Sequence, residues 1–490
     1  MAFKTARDIH DSERARRQAD ARGVPADIMR PRVLLVVATI LLSLIGLVVG
    51  FSASSIEAIN LGNSVYSYVV KQTAIMVGGG FIAFLIAKFL PYRAWLGGWC
   101  FPAAFVVIAA LLLAVFVVGT SALGATRWIY IGGFSLQPSE LAKIVFVIAA
   151  ARIVYKYRNE IIDIRKTIAA AVLLVVAPLG FLFVTQSDLG TAIIVLLGVF
   201  AVMWIGEVPL KVIAPLFVLV SIVGVFSLVG YRADRIAVWL DPWSDPFDKG
   251  RQAIRSLYAL AEGGILGVGL GNSREKFQYL SEAENDFIFA IVGEELGMVG
   301  ALVVIGLFLL VLYAGLRIAH RAPESFGSMM AGGLTVLLVG QAFLNIAVVI
   351  GLFPVTGKPL PFISSGGSSI LASMLMVGLI LSVSKGSNVL TPYERRRNDL
   401  NVIRVEHPER SRSASGRIES GTSHVSASRR KESARKTTGS SRTAAHGNAS
   451  SRERGLARVR ASRREKDEAQ RNERRERAQR RARDFERGKR

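Results

Sequence analysis

The stretch EAENDFIFAIVGEELG, residues 282–297, gathers five carboxylates where a charged loop turns into an apolar run. Asp286 stands at that junction, followed by Phe287 and Phe289, and Glu294 and Glu295 lie inside the run. An ionised carboxylate in apolar surroundings is costly unless it is paired or neutralised, so each must have a partner or a task. A half-desolvated carboxylate such as Asp286 is suited to taking up a proton, and the plain alternative for it is a helix N-cap. Glu294 and Glu295 lie roughly 12 Å further along a continuous helix. They cannot share one proton transfer with Asp286, and they read as interhelical polar contacts, with a proton or lipid pathway as the alternative.

Three further polar islands interrupt apolar sequence. In GATRWIYIGGFSLQPSELAK, residues 124–143, Pro138 suits a first helical turn and Glu140 there favours the positive end of the helix dipole. Lys143 follows at the i,i+3 spacing. It either snorkels to the interface, with Trp128 as a belt aromatic, or works with Arg127 at a site. In TQSDLGT, residues 185–191, Asp188 reads as an N-cap, with substrate binding as the minority alternative. In GLFPVTGKPLPFISSGGSSI, residues 351–370, three prolines and a serine run forbid a regular helix. Non-helical backbone at membrane depth survives only against protein or a water-filled cavity, so Ser365 and Ser368 are expected to line one.

The elements that position these islands are membrane helices. Half of the 490 residues are hydrophobic, and apolar runs near 33–52, 73–90, 95–119, 138–155, 167–185, 189–205, 212–229, 286–316, 328–353 and 367–384 predict about ten spans. The expected fold class is an all-α polytopic membrane protein with a long extracytoplasmic loop, residues 230–285, between the seventh and eighth helices. Eight Lys and Arg precede the first span and five follow the fourth, which places both termini in the cytoplasm. The chain divides into a basic arm, 1–32, a membrane domain, 33–385, and a basic tail, 386–490, largely disordered by composition. Residues 394–490 hold 30 Lys and Arg against 14 Asp and Glu, so +16 of the +23 net charge belongs to the tail. That charge suits anionic lipid or a cytoplasmic partner; no motif supports nucleic-acid binding. The single cysteine, Cys100, excludes an internal disulfide and a cysteine-based metal cluster. GGILGVGLGNS in the long loop lacks the GKS or GKT ending of a P-loop and reads as turns and close packing.

Taken in order over residues 30–385, these islands, with DPWSDPFDKGRQAIRSLYALAEGGILGVGLGNS and QAFLNIAVVIGLFPVTGKPLPFISSGGSS, resemble the SEDS family (shape, elongation, division and sporulation). ADIMRPRVLLVVATILLSLIGLVVGFSASS and the long tail are more similar to its FtsW branch than to the RodA type. Ser187 replaces the family's usual Pro, and Glu284 and Asn285 replace its usual His and Thr; Asp286 matches its essential Asp. The resemblance implies an inverting glycosyltransferase that polymerises lipid II, a polyprenyl diphosphate-linked disaccharide-pentapeptide, into β-1,4 glycan strands at the outer face of the cytoplasmic membrane, at the division septum. It implies Asp286 as general base, with Lys143, Arg127, Trp128, Glu140, Arg232, Ser365 and Ser368 around the substrate. It also implies a class B penicillin-binding protein transpeptidase and other division proteins as partners. No dedicated metal site is expected; a divalent cation, Mg or Mn, would enter with the diphosphate. A lipid II flippase is the competing reading, motivated by ten spans and intramembrane carboxylates.

Overall fold

The computed structural model describes residues 26–386, apart from 61, 63, 65, 119, 123–124, 132–133, 187, 212, 215–217, 219–230 and 278. The arm before residue 26, the tail from 387 and most of the expected span 212–229 lie outside the described residues, as does Ser187.

Seven of the described helices are long and apolar enough to cross a membrane. They include α1 (Ala26–Asn60), α2 (Tyr66–Phe89) and α3 (Cys100–Val118). The expected fourth span is α4 (Pro138–Arg158), which carries more charge than the others. The fifth, α5 (Ile164–Thr185), changes to π-helical turns at Val172–Val176. Pro178 lies just beyond and has no N–H to donate, so the helical ladder is already one bond short there. Next comes α6 (Leu189–Ile205). The long loop contributes two helices, α7 (Tyr231–Leu240) and α8 (Arg251–Gly263), before α9 (Ile288–His320), α10 (Ser325–Val349) and α11 (Gly367–Gly386). The helices α10 and α11 are buried along most of their length: α11 packs on α2, α9 on α1 and α10, and α6 on α4 and α10.

Two features correct the sequence expectation. The first is a small antiparallel sheet in a chain expected to be all helical: β1 (Thr120–Ala122), β2 (Ala125–Ile131) and β3 (Phe134–Leu136), in that order. Thr120 lies opposite Trp128, and Ile129 opposite Leu136. The cause is local: RWIYI mixes aromatic and β-branched residues that fit a pleated surface, and it precedes the proline that starts α4.

The second is that α9 is not continuous. Gly297 has φ 68° and ψ −169°, a conformation open to glycine that breaks the helical path. The glycine-rich stretch after α8 supplies the hydrogen bonds lost at the break. The N–H groups of Met298 and Val299 donate to the carbonyls of Gly264 (2.9 Å) and Ile265 (3.2 Å). In return, the carbonyls of Glu294 and Glu295 accept from Val268 (3.0 Å) and Gly269 (3.1 Å). Broken helices survive inside a membrane protein when neighbouring backbone re-satisfies the freed groups. GGILGVGLG is therefore a structural insert that completes α9.

The same region answers for the two intramembrane glutamates. Glu294 accepts from the Ser273 hydroxyl (2.6 Å) and from the N–H groups of Arg274 and Glu275. Glu295 accepts from the Ser52 hydroxyl on α1 (2.5 Å), the Ser273 N–H (3.4 Å) and the Lys276 ammonium (3.4 Å). Ser52 to Glu295 is the expected interhelical contact; the other partners belong to the long loop, which the pair fastens to the helices.

Candidate active site

Four segments carry the site: the turn before α9, the first turn of α4, the first turn of α6, and the irregular chain between α10 and α11. Asp286 lies in the turn, and α9 begins at Ile288 with Phe287 as its N-cap. Asp286 therefore caps nothing, which removes the plain alternative. Phe287 and Phe289 beside it are fully buried, whereas Asp286 itself keeps partial exposure. Burial, then the negative charge of Glu282, pushes its carboxyl up to about 7, against the opposing pull of Lys358 and Arg127.

The wall facing it is the segment 354–366. Gly357 adopts φ +65°, and a Cβ built there would stand 3.3 Å from Asp286 Oδ2, so a glycine lets the segment approach the carboxylate. The Asn345 side-chain amide, from α10, donates to the carbonyls of both Asp286 and Lys358, each at 2.7 Å. The serine run closes the same turn from the other side. Ser364 Oγ donates to the Asn285 carbonyl (2.6 Å), Ser365 N–H donates to the Glu284 carbonyl (3.0 Å), and the Ser365 hydroxyl donates to the Asn285 side chain. Ser365 thus holds the residues just before Asp286. Ser368 lies buried in the first turn of α11, its hydroxyl without a hydrogen-bond partner among the described residues.

Behind this wall is a buried cluster of two acids and two lysines. Lys143 donates to Glu140 at 2.6 Å and to the Gln341 carbonyl oxygen on α10. Lys143 is only 1% exposed, so of its two alternatives the snorkelling one does not hold: its ammonium is satisfied inside the bundle. Lys358 donates to Asp188 (2.7 Å) and Thr191 (2.6 Å), and lies 3.9 Å from Glu140. Asp188 does cap α6, accepting from the Thr191 N–H at 3.0 Å, and also holds Lys358. Burial raises its carboxyl, but Lys358, Arg127 and the Thr191 N–H outweigh burial and hold it at about 2. Arg127, on β2, donates through Nε to the Gln186 carbonyl (2.8 Å) and remains half-buried. Trp128 is its half-buried neighbour on the same strand. Arg232 belongs to α7, and its side chain lies outside the described residues.

The structure thus brings Asp286, Glu140, Lys143, Arg127 and Ser365 into one region. Lys358, Asp188, Asn345 and Gln341 complete it. Asn345 and Gln341 did carry a signal: two amides spaced i,i+4 in a long apolar helix are costly without a purpose. Lys358 carried little, because its acidic partner is 170 residues away in sequence.

The chain is similar to several known proteins over most of its length. Stage V sporulation protein E of Bacillus subtilis is 36% identical over 366 residues, covering 73% of this chain and 98% of that protein. The probable peptidoglycan glycosyltransferase FtsW of Mycobacterium tuberculosis is 37% identical over 362 residues, 72% of this chain and 67% of that one. Among solved structures, RodA of Thermus thermophilus superposes with a TM-score of 0.52 at 27% identity, over 72% of this chain and 95% of RodA. A chain from a structure describing polymerization and crosslinking by a peptidoglycan synthase complex superposes with a TM-score of 0.56 at 28% identity, over 71% of this chain and 97% of its own length. Residues 32–389 match the FtsW/RodA/SpoVE family of cell cycle proteins, and this multi-pass membrane chain belongs to that family.

Proposed function

We propose that the chain is a peptidoglycan glycosyltransferase that polymerises lipid II into β-1,4 glycan strands, and that Asp286 is its general base. The observation that carries the catalytic assignment is the placement of Asp286, half-buried at the mouth of α9 and walled by Gly357 and the serine run, where burial pushes its carboxyl up to about 7. A base tuned close to the working pH is both ionised enough to act and basic enough to take a proton. The names of the FtsW relatives support the reaction class.

In the proposed step the acceptor sugar hydroxyl gives its proton to Asp286 while its oxygen bonds to the anomeric carbon of the second lipid II. The bond from that carbon to the diphosphate breaks, and the diphosphate leaves with the electron pair. A diphosphate leaves without protonation, so one carboxylate suffices. Attack opposite the leaving group inverts the anomeric centre. Arg127, partly exposed at this face, supplies positive charge for the departing diphosphate. Lys143 and Glu140 form the charged floor beneath it, Ser365 holds the turn, and Trp128, Arg232 and Ser368 are assigned to the surrounding substrate surface. Among the described residues no group of three or more His, Cys, Asp or Glu side chains is arranged to hold a metal ion. A divalent cation is proposed to arrive with the diphosphate.

The reading extends to the cell: a chain in the cytoplasmic membrane with both termini inside, at the division septum, working with a class B penicillin-binding protein transpeptidase. One relative of known structure belongs to a peptidoglycan synthase complex, which supports such a partner. The test is purified chain, with and without that transpeptidase, given labelled lipid II. Glycan ladders support the reading. Movement of intact lipid II across vesicles without ladders would replace it with the flippase.

A further inference from the structure

Asn345 and Lys358 take no part in the proton transfer described above, yet Asn345 is bound to the backbone that carries it and Lys358 is joined to that backbone through Asn345. The Asn345 side-chain amide spans two carbonyls, those of Asp286 and Lys358, at 2.7 Å each. Two N–H donors on one nitrogen are needed for that bridge, so neither a carboxylate nor an apolar side chain replaces it. Lys358 is 1% exposed. An ammonium has three donors, and those of Lys358 face Asp188 at 2.7 Å, Thr191 at 2.6 Å and Glu140 at 3.9 Å. It is committed to protein partners and does not present itself to a ligand. Its stem passes so close to Gly190 that a Cβ there would stand 2.7 Å from Lys358 Cγ. Residue 357, next in the chain, is the glycine that meets the Asp286 carboxylate.

We infer that Asn345 and Lys358 are positioning residues for Asp286. Lys358 pins the segment between α10 and α11 to the first turn of α6, and Asn345 clamps the Asp286 backbone to that pinned segment. The inference rests on the glycosyltransferase reading above. It joins the cap of α6 to the carboxylate through three links: Asp188 to Lys358, Lys358 carbonyl to Asn345, and Asn345 to the Asp286 carbonyl. The competing role is simpler: Lys358 merely neutralises a buried Asp188. The charged groups acting on Asp286 are Glu282 in its own turn, Lys358 on the facing segment, Arg127 on β2 and Glu140 on α4. Of these, Lys358 belongs to the segment that Asn345 clamps to Asp286.

The experiment measures lipid II polymerisation by the purified full-length chain, as kcat, KM, pH profile and melting temperature. Asn345→Leu is expected to lower kcat about 30- to 100-fold with KM within about threefold, the signature of a misplaced reacting group. Asn345→Gln, which keeps both donors on a longer arm, recovers part of that loss. Lys358→Met removes a positive charge, and the acid limb of the profile moves to higher pH by about one unit. Because Lys358→Met leaves Asp188 buried and unpaired, the double variant Asp188→Asn, Lys358→Met is measured beside it. It is expected to regain the melting temperature but keep the displaced limb. A double variant with both wild-type stability and a wild-type profile overturns the inference and leaves Lys358 as a neutralising partner. So does an Asn345→Leu chain whose kcat is unchanged. A wild-type chain that makes no glycan overturns the glycosyltransferase reading and the inference with it.

Discussion

If Asp286 accepts the proton, the polymerisation rate must follow its ionisation. A carboxyl with a pKa of about 7 is about one-tenth ionised at pH 6 and about nine-tenths at pH 8. Initial rates therefore rise roughly ninefold across that interval and flatten above it. An aspartate at its ordinary value would already be almost fully ionised at pH 6, and its profile would be flat. The shift has two structural sources, burial and the Glu282 charge, and they separate by mutation. Glu282 is exposed, so Glu282→Gln removes charge without opening the core, and the acid limb moves to lower pH. The assay is initial-rate formation of labelled glycan from lipid II between pH 5.5 and 9, at saturating and subsaturating substrate, with melting temperature recorded at each pH. A flat profile from a chain that needs Asp286 would show that burial does not raise the carboxyl. A limb that moves to higher pH in Glu282→Gln would show that the neighbouring charge acts with the opposite sign.

The same carboxyl sets stability against pH. Its folded value lies above the ordinary 3.8, so between about pH 4 and 7 the folded chain keeps a proton that the unfolded chain has released, and stability falls as pH rises through that window. Asp286→Asn, which cannot ionise, should melt at a higher temperature than wild type at pH 8 and show no advantage at pH 4, read by scanning fluorimetry in detergent. Gly357→Ala forces a side chain into φ +65° and places its Cβ 3.3 Å from the Asp286 carboxylate. The conformation alone costs about 1–2 kcal/mol, and activity should fall by tenfold or more, out of proportion to the loss of stability; wild-type kinetics would deny that Gly357 faces the base. Glu294→Leu removes the acceptor of three bonds from Ser273, Arg274 and Glu275 and leaves the donors of Ser273 and Glu275 buried. A loss of about 2–4 kcal/mol, with new protease cleavage between residues 264 and 277, is expected; an uncut loop would mean that other contacts hold it.

Much of the site was legible because its chemistry offends its surroundings. Asp286 stands where hydropathy changes abruptly, and Glu140 and Lys143 share a helix face by simple spacing, so the chain itself announces them. Nine of the ten apolar segments coincide with described helices, because length and apolar content alone decide whether a segment can be one. What could not be read were the relations set by tertiary structure. The partner of Lys358 is distant in sequence, and its neighbours are Pro, Gly and Thr, which give no hint of an acid. The break at Gly297 looks in sequence like any glycine of a membrane helix; only the arriving stretch 264–269 makes it stable. The sheet around Trp128 was hidden for a different reason: β1 and β3 have three residues each, too few for alternation to show, and the seven residues of β2, ATRWIYI, do not alternate.

The central claim, that Asp286 takes the proton from the acceptor hydroxyl, is tested most directly by single-turnover glycosyl transfer with the purified chain and preloaded lipid II. Asp286→Ala and Asp286→Asn are compared with wild type at pH 8. The account predicts that both variants fold and bind lipid II within a few-fold of wild type, while the transfer step slows by about 100-fold or more. Transfer at the wild-type rate in either folded variant would contradict it.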